Sequence, residues 1–297
     1  SNYYMWCYDN EAALKAIDLA HNAMMPFIED KKVLSEFCRL NIYKAYIEYL
    51  RGDHESCLKS LNHLCSLVDI NTASPYLRSV YYYVKSSLLY DSGEFKSAEK
   101  YSKKCVQISI NNNFSYKSYY HRKILDLKIM NSLTDEKNKN KIEACKALEQ
   151  EFLKNSIDPQ HETFGRLYVE LARSYLTYGK LDLALEYANK SIDVLDMWHG
   201  KKGKHRNQAI AWQSKGDVLL KKGDFKEAHN SYSVSWRYYK HVFTHFKAHA
   251  LIDLLYNWGV AAFYLNKDKI YRQCIVDIKK LFPSKYDYVL KLYDLEK

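Results

Sequence analysis

"GDFKEAHNSYSVSWRYYK", from Gly223 to Lys240, opens with a phrase that the chain writes again with other letters between. "GEFKSAEKYSKKCVQI" begins at Gly93, "GKLDLALEYANKSIDV" at Gly179 and "GDHESCLKSLNHL" at Gly52. Gly52 and Gly93 lie 41 residues apart, Gly179 and Gly223 lie 44 apart, and the 86 residues from Gly93 to Gly179 are twice 43. A degenerate copy is therefore expected near residue 136, where "SLTDEKNKNKIEACKALEQEF" supplies a polar turn and then an amphipathic segment. One period past Gly223 stands Asn266, in "YLNKDKIYRQCIVDI".

Each copy has the same internal logic. An apolar-periodic segment such as "FGRLYVELARSYLTY" precedes the turn and another such as "DLALEYANKSIDVL" follows it, both with the three-and-four spacing of a helix face. Each unit is thus two antiparallel helices. The glycine supplies the left-handed residue that ends the first helix. Five positions later comes a small residue, Cys57, Ala98, Ala184 or Ala228, which lets the second helix approach the first. Pro26, Pro75, Pro159 and Pro283 all fall where linkers between helices are expected, and a missing N–H does no harm there.

At these residues the chain resembles the tetratricopeptide (TPR) family. Gly216, Ala172 and Ala45 match that family's small residue in the first helix, and Phe95, Leu181 and Phe225 match the bulky residue two after the turn glycine. The period of about 42 exceeds that family's usual 34 or so and resembles the longer variant of kinesin light chains and bacterial sensor and regulator proteins. "DMWHGKKGKHRNQAIAW", Asp196 to Trp212, is similar to the glycine- and histidine-bearing connector of the kinesin light-chain type. The resemblance implies an all-α fold, an α-α superhelix of helix pairs. The units run over roughly 33–70, 75–112, 115–155, 160–198, 205–241 and 247–282, after a partial unit at 1–30 and before a closing helix at 284–297. Because "DNEAALKAIDLAHNAM" at Asp9–Met24 reads as a second helix without its first, a fragment of a longer protein is expected.

Composition agrees with helix throughout. The 297 residues hold 9 Gly and 4 Pro, well below the roughly 7% and 5% of ordinary chains. No stretch approaches 18 uncharged apolar residues, which excludes a membrane-spanning helix by sequence. Seven cysteines without a C-x-x-C pair suit reduced thiols in a cytoplasm.

Motifs for catalysis are missing. "GKKGKH" at Gly200–His205 lacks the interval and the hydroxyl residue of a P-loop, and "HETFG" at His161–Gly165 has Gly where a zincin helix needs its second His. The reading is a chain that is not an enzyme and carries no cofactor. His241, His245 and His249 recur at four-residue steps, which makes them a weak metal candidate. Each step drifts about 40° round a helix, so the whole row cannot meet one ion, and a polar stripe explains it as well.

Residues 201–250 carry 11 Lys and Arg against 3 Asp and Glu, so +8 of the chain's formal +10 lies there. Lys201, Lys202, Lys204 and Arg206 form a basic patch suited to an acidic partner or to a plain solvated loop. No nucleic-acid motif accompanies it. The chain also holds 28 Tyr, a residue that fills helix interfaces and favours binding surfaces.

In TPR proteins the first helices line a groove. Carried over by position from each turn glycine, the resemblance implies Arg39, Tyr46, Tyr83, Tyr90, Arg166, Arg173, Gln213 and Asp217 as groove residues. Tyrosine and arginine suit a peptide with acidic or C-terminal carboxylate groups. The leading reading is a non-catalytic protein- or peptide-binding scaffold, the partner-sensing arm of a signalling, defence or regulatory protein. A signalling-peptide receptor domain of a transcriptional regulator and an enzyme with a hidden site stand as alternatives.

Overall fold

The computed structural model describes residues 10–114, 116–133, 140–201, 205–242 and 249–296. Among them are fourteen α-helices and no strand. In chain order they are α1 (Asn10–Met24), α2 (Lys31–Leu50), α3 (His54–Leu67), α4 (Pro75–Asp91), α5 (Phe95–Asn111), α6 (Tyr116–Ser132), α7 (Lys141–Lys154), α8 (Glu162–Thr177), α9 (Leu181–His199), α10 (Arg206–Lys222), α11 (Phe225–Val242), α12 (His249–Tyr264), α13 (Asp268–Leu281) and α14 (Tyr286–Tyr293). No described helix is long and apolar enough to cross a membrane.

The turn that ends each first helix is the same local structure written repeatedly. At the end of α10, Gly223 sits at φ +81. Its N–H reaches the Leu220 carbonyl at 3.0 Å, and the Asp224 N–H reaches back to Leu219 at 2.9 Å. These two bonds satisfy carbonyls that the helix end would leave without partners, and they need one residue in the left-handed region. The same pair of bonds closes α2 at Gly52, α4 at Gly93, α8 at Gly179 and α12 at Asn266. Asn266 has φ +53 and stands one period past Gly223, as the repeat requires. Asparagine tolerates this region better than other side-chain-bearing residues.

With the direction of return set, small residues decide how close the second helix lies. Cys57, Ala98, Ala184 and Ala228 are fully buried, and so is Cys145 in α7. Farther along two of the hairpins a serine bonds a backbone carbonyl of the partner helix: Ser191 Oγ donates to Gly165 O and Ser235 Oγ to Ala209 O, both at 2.7 Å. A Cβ added to Gly216 would meet the Tyr232 ring at 2.5 Å, and one added to Gly165 would meet Leu195 at 2.6 Å. The small-residue position expected at Gly216 is therefore a contact between α10 and α11.

The degenerate copy folds as α6 and α7. Its turn, 134–139, lies outside the described residues. The end of α6 is capped by a lysine: Lys141 Nζ donates to the carbonyls of Asn131 at 3.4 Å and Leu133 at 3.1 Å. Pro75 is displaced slightly from expectation, standing as the first residue of α4 behind the Ser74 cap, where its missing N–H is again harmless.

The chain divides into two compact units, one reaching Arg122 and the other beginning at Lys123. In the first, Cys38, Ile42, Ala45, Leu61, Leu64, Val84, Leu88 and Cys105 build the main core, and Ala13 and Ile17 of α1 pack with Leu40 and Ile47 of α2. In the second, Leu167, Leu171, Ala188, Leu195, Val218, Leu254 and Leu255 are buried.

Replacing Gly216 with Ala or Ala228 with Leu forces atoms into a filled α10–α11 interface. Each is expected to cost about 1–3 kcal/mol, read as a lower urea midpoint. Midpoints unchanged in both variants would mean that the hairpin register is different.

Candidate functional site

In the first unit the first helices α2 and α4, with the start of α6, gather tyrosines and arginines. Arg39 on α2 is half-buried and bonds Glu36 through Nε at 2.8 Å and Nη2 at 2.5 Å, with its guanidinium 5.6 Å from the Tyr43 ring. The Tyr46 and Tyr83 rings lie 6.0 Å apart. Tyr43 and Tyr76 share a hydroxyl–hydroxyl hydrogen bond of 2.8 Å. Beneath them is Arg122, 5% exposed, whose Nε donates to Ser79 Oγ at 2.6 Å. Its guanidinium stands 5.9 Å from the Tyr83 ring and 6.0 Å from that of Phe114. Burial lowers the Arg122 pKa, Cys105 and the surrounding tyrosines oppose that shift, and an arginine keeps its charge. The result is a buried cationic group set among aromatic faces.

Tyr90, assigned to the groove by its distance from Gly93, is instead 8% exposed. It stands three residues before the turn, so its ring folds onto Phe95 of α5 at 5.3 Å. Tyr43, Tyr76 and Arg122 were not singled out by the glycine count. The signal available was a polar pair one period apart, for Arg122 and Ser79 are 43 residues apart.

The second unit presents a different chemistry. Arg166 is half-buried on α8, and Arg173 pairs with buried Glu170 at 3.3 Å. Glu170 also takes the Asn131 amide on a carboxylate oxygen at 2.9 Å, and Ser174 Oγ donates to Asn131 Oδ1 at 2.9 Å. Gln213 is 3% exposed, because its side chain faces α11 and accepts from the Tyr239 hydroxyl at 3.2 Å. It lies inside the helix pair and not on a groove. Asp217 accepts from Tyr232 at 2.9 Å and from the Asn257 amide at 3.0 Å. Burial pushes its carboxyl up to about 6, against the lowering effect of those two bonds and of Arg173.

The basic patch does not hold together as read. Lys201 is exposed, Lys202 and Lys204 lie outside the described residues, and Arg206 is 5% exposed at the start of α10. As the first helical residue behind the His205 cap, Arg206 turns into the packing and not toward solvent. Of the four-step row, His241 is exposed near the end of α11, His249 is the first residue of α12 and His245 lies outside the described residues. A different set converges: Glu162, His199 and His205, from the start of α8, the end of α9 and the cap of α10. Burial, and His199 after it, push His205 down to about 3.

Residues 80–112, most of α4 with α5, match the tetratricopeptide repeat family model. No curated protein matches the chain by sequence. Among solved structures it is similar to NprR in complex with its cognate peptide NprX, at 16% identity and TM-score 0.61, covering 97% of this chain and 82% of that one. A Rap protein complexed with Competence and Sporulation Factor gives 11% identity and TM-score 0.68, with 96% and 80% covered. A STAND signal-transduction ATPase with a tetratricopeptide repeat sensor, from Pyrococcus horikoshii, gives 14% and 0.50, with 97% of this chain and 44% of that one. At such identities the likeness is one of fold, and the fold is that of TPR-like helical repeat proteins.

The Asp217 environment generates a pH test. Its folded value lies above the ordinary 3.8, so the native state holds the proton more tightly than the unfolded chain does. That contribution is fully present below about pH 4 and is lost as pH rises through about 6, at a cost of about 3 kcal/mol. The stability of Asp217→Asn minus that of the parent should therefore grow between those pH values in urea unfolding. A difference that stays constant with pH would show that Asp217 ionises normally.

Proposed function

We propose that the chain is a non-catalytic peptide-sensing scaffold, the partner-recognition part of a regulatory protein, and that its partner carries acidic side chains or a free C-terminal carboxylate. The observation that carries this reading is the grouping of Tyr43, Tyr46, Tyr76 and Tyr83 with Arg39 and buried Arg122 on the first helices of one unit. Tyrosine offers large contact area at low entropic cost, and a guanidinium held among aromatic rings binds carboxylates with little reorganisation. The fold supports the same reading, since the similar NprR binds its cognate peptide NprX and the similar Rap protein binds Competence and Sporulation Factor. The signalling-peptide receptor and the sensing arm then become one proposal, differing in the domain that follows the signal.

The second unit contributes a different function in this proposal. Its Asn131 and Asn257 amides can recognise peptide backbone, whose N–H and C=O groups take amide partners, by giving up their bonds to Glu170 and Asp217. A cytoplasmic location fits the six described cysteines, all free thiols.

The test is fluorescence anisotropy on the intact chain, with labelled peptides selected from a random library for binding. Tyr83→Ala and Arg39→Ala should each weaken the selected peptide about 10- to 100-fold, about 1–3 kcal/mol. Amidating the peptide's C-terminus should weaken it when that carboxylate is the anchor. Replacing Lys201, Lys202 and Lys204 by Gln should change little. Full affinity in the Tyr83→Ala, Arg39→Ala double variant, or loss of binding only in the lysine variant with a steep salt dependence, would overturn the assignment.

A further inference from the structure

We propose that Glu162, His199 and His205 form a binding site for a divalent transition-metal ion of the Zn(II) class, clipping the start of α8 to the end of α9 and the start of α10. The side chains of His199 and Glu162 are largely buried, 3% and 16% exposed, and the donor atoms of all three residues lie within 4.8 Å of one another. His199 Nε2 is 3.1 Å from a Glu162 carboxylate oxygen. The two imidazole rings are stacked, with centroids 3.8 Å apart and planes 14° from parallel. Tetrahedral zinc with bonds of about 2.0–2.2 Å places neighbouring ligand atoms about 3.3–3.5 Å apart. The Glu162–His199 edge is already close to that spacing.

Two adjustments complete the site, and both are local. Parallel rings cannot aim their in-plane lone pairs at one point, so binding fans the stack open by rotating an imidazole. His205 Nδ1 accepts the Asn207 N–H at 3.2 Å. Ligation through Nε2 moves the ring hydrogen to Nδ1 and releases that long capping bond. Gly200, directly after His199, sits at φ +75, a backbone conformation that residues with a side chain rarely adopt, and so lets the chain turn sharply out of α9.

Donor chemistry selects the ion class. Two imidazoles and a carboxylate suit Zn(II) and its transition-metal neighbours, whereas Mg(II) and Ca(II) take oxygen donors. Three protein ligands leave a fourth position for water or for an arriving carboxylate. The inference is independent of the peptide proposal, since its residues sit at helix ends and share none of the tyrosine and arginine cluster.

The experiment uses the full chain freed of metal with a chelator and titrated with Zn(II) against a chromophoric competitor. One tight equivalent is expected in the parent, weakened at least tenfold in Glu162→Gln and in His199→Gln and unchanged in His241→Gln. His205→Asn keeps a capping acceptor on α10 while removing the imidazole, so a tenfold loss there reads ligation and not fraying. Co(II) should give the intense visible absorption of a four-coordinate site in the parent and lose it in Glu162→Gln, and Zn(II) should raise the parent's Tm but not that variant's. A parent that takes up no stoichiometric Zn(II), or equal affinity in Glu162→Gln and His199→Gln, would overturn the site and leave a carboxylate accepting hydrogen bonds from the imidazoles.

Discussion

Everything in this chain depends on a five-residue reach of one backbone hydrogen bond. The residue after the turn glycine donates to the carbonyl five places back, as Asp224 does to Leu219, and that bond forms only when the residue between has positive φ. The consequence is directional. The next helix starts at once, runs antiparallel, and brings its fourth residue against the first helix, which is why Ala98, Ala184 and Ala228 are fully buried. A larger residue there would hold the helices apart and loosen the serine-to-carbonyl bonds of Ser191 and Ser235 farther along.

Between neighbouring pairs the attachments are more polar. Arg122 bonds Ser79 across 43 positions, Ser174 bonds Asn131 across 43 and Asn257 bonds Asp217 across 40, each spanning about one repeat. Such bonds are satisfied in place of water, so they specify register without adding much net stability. Their cost appears where a charge is involved: burial raises the Asp217 carboxyl despite two donors. Once a polar residue of a first helix is committed to the next pair, it serves a ligand only by giving up that bond.

That distinction explains what was readable in the sequence. The turn is local, so a glycine, or Asn266 one period on, with small and bulky residues at fixed offsets marks the described turns at Gly52, Gly93, Gly179, Gly223 and Asn266. Counting back from the glycine gives a residue's angle about its helix axis, but not which neighbouring helix occupies that angle. Tyr90 and Gln213 were drawn into the groove set by that count although their angles point at the second helix of their own pair. Arg206 misled for another reason: charge counting treats every arginine as solvated, and this one heads a helix whose first turn is packed. Arg122 escaped because its partner is a repeat away.

The gathering of Glu162, His199 and His205 follows from the same geometry. A hairpin whose two helices have similar length returns the chain to the level at which it began, so the start of a first helix and the end of its second are neighbours however far apart they are in sequence. The connector must then begin the next first helix beside them. Three helix ends therefore meet where α8, α9 and α10 adjoin, and donors written there converge without any local motif. "HETFG" and "HGKKGKH" are each uninformative when read alone, since neither has a metal-binding spacing. Folding the first helix against the second joins them, and the repeat that hides a site from pattern matching is also the device that assembles it.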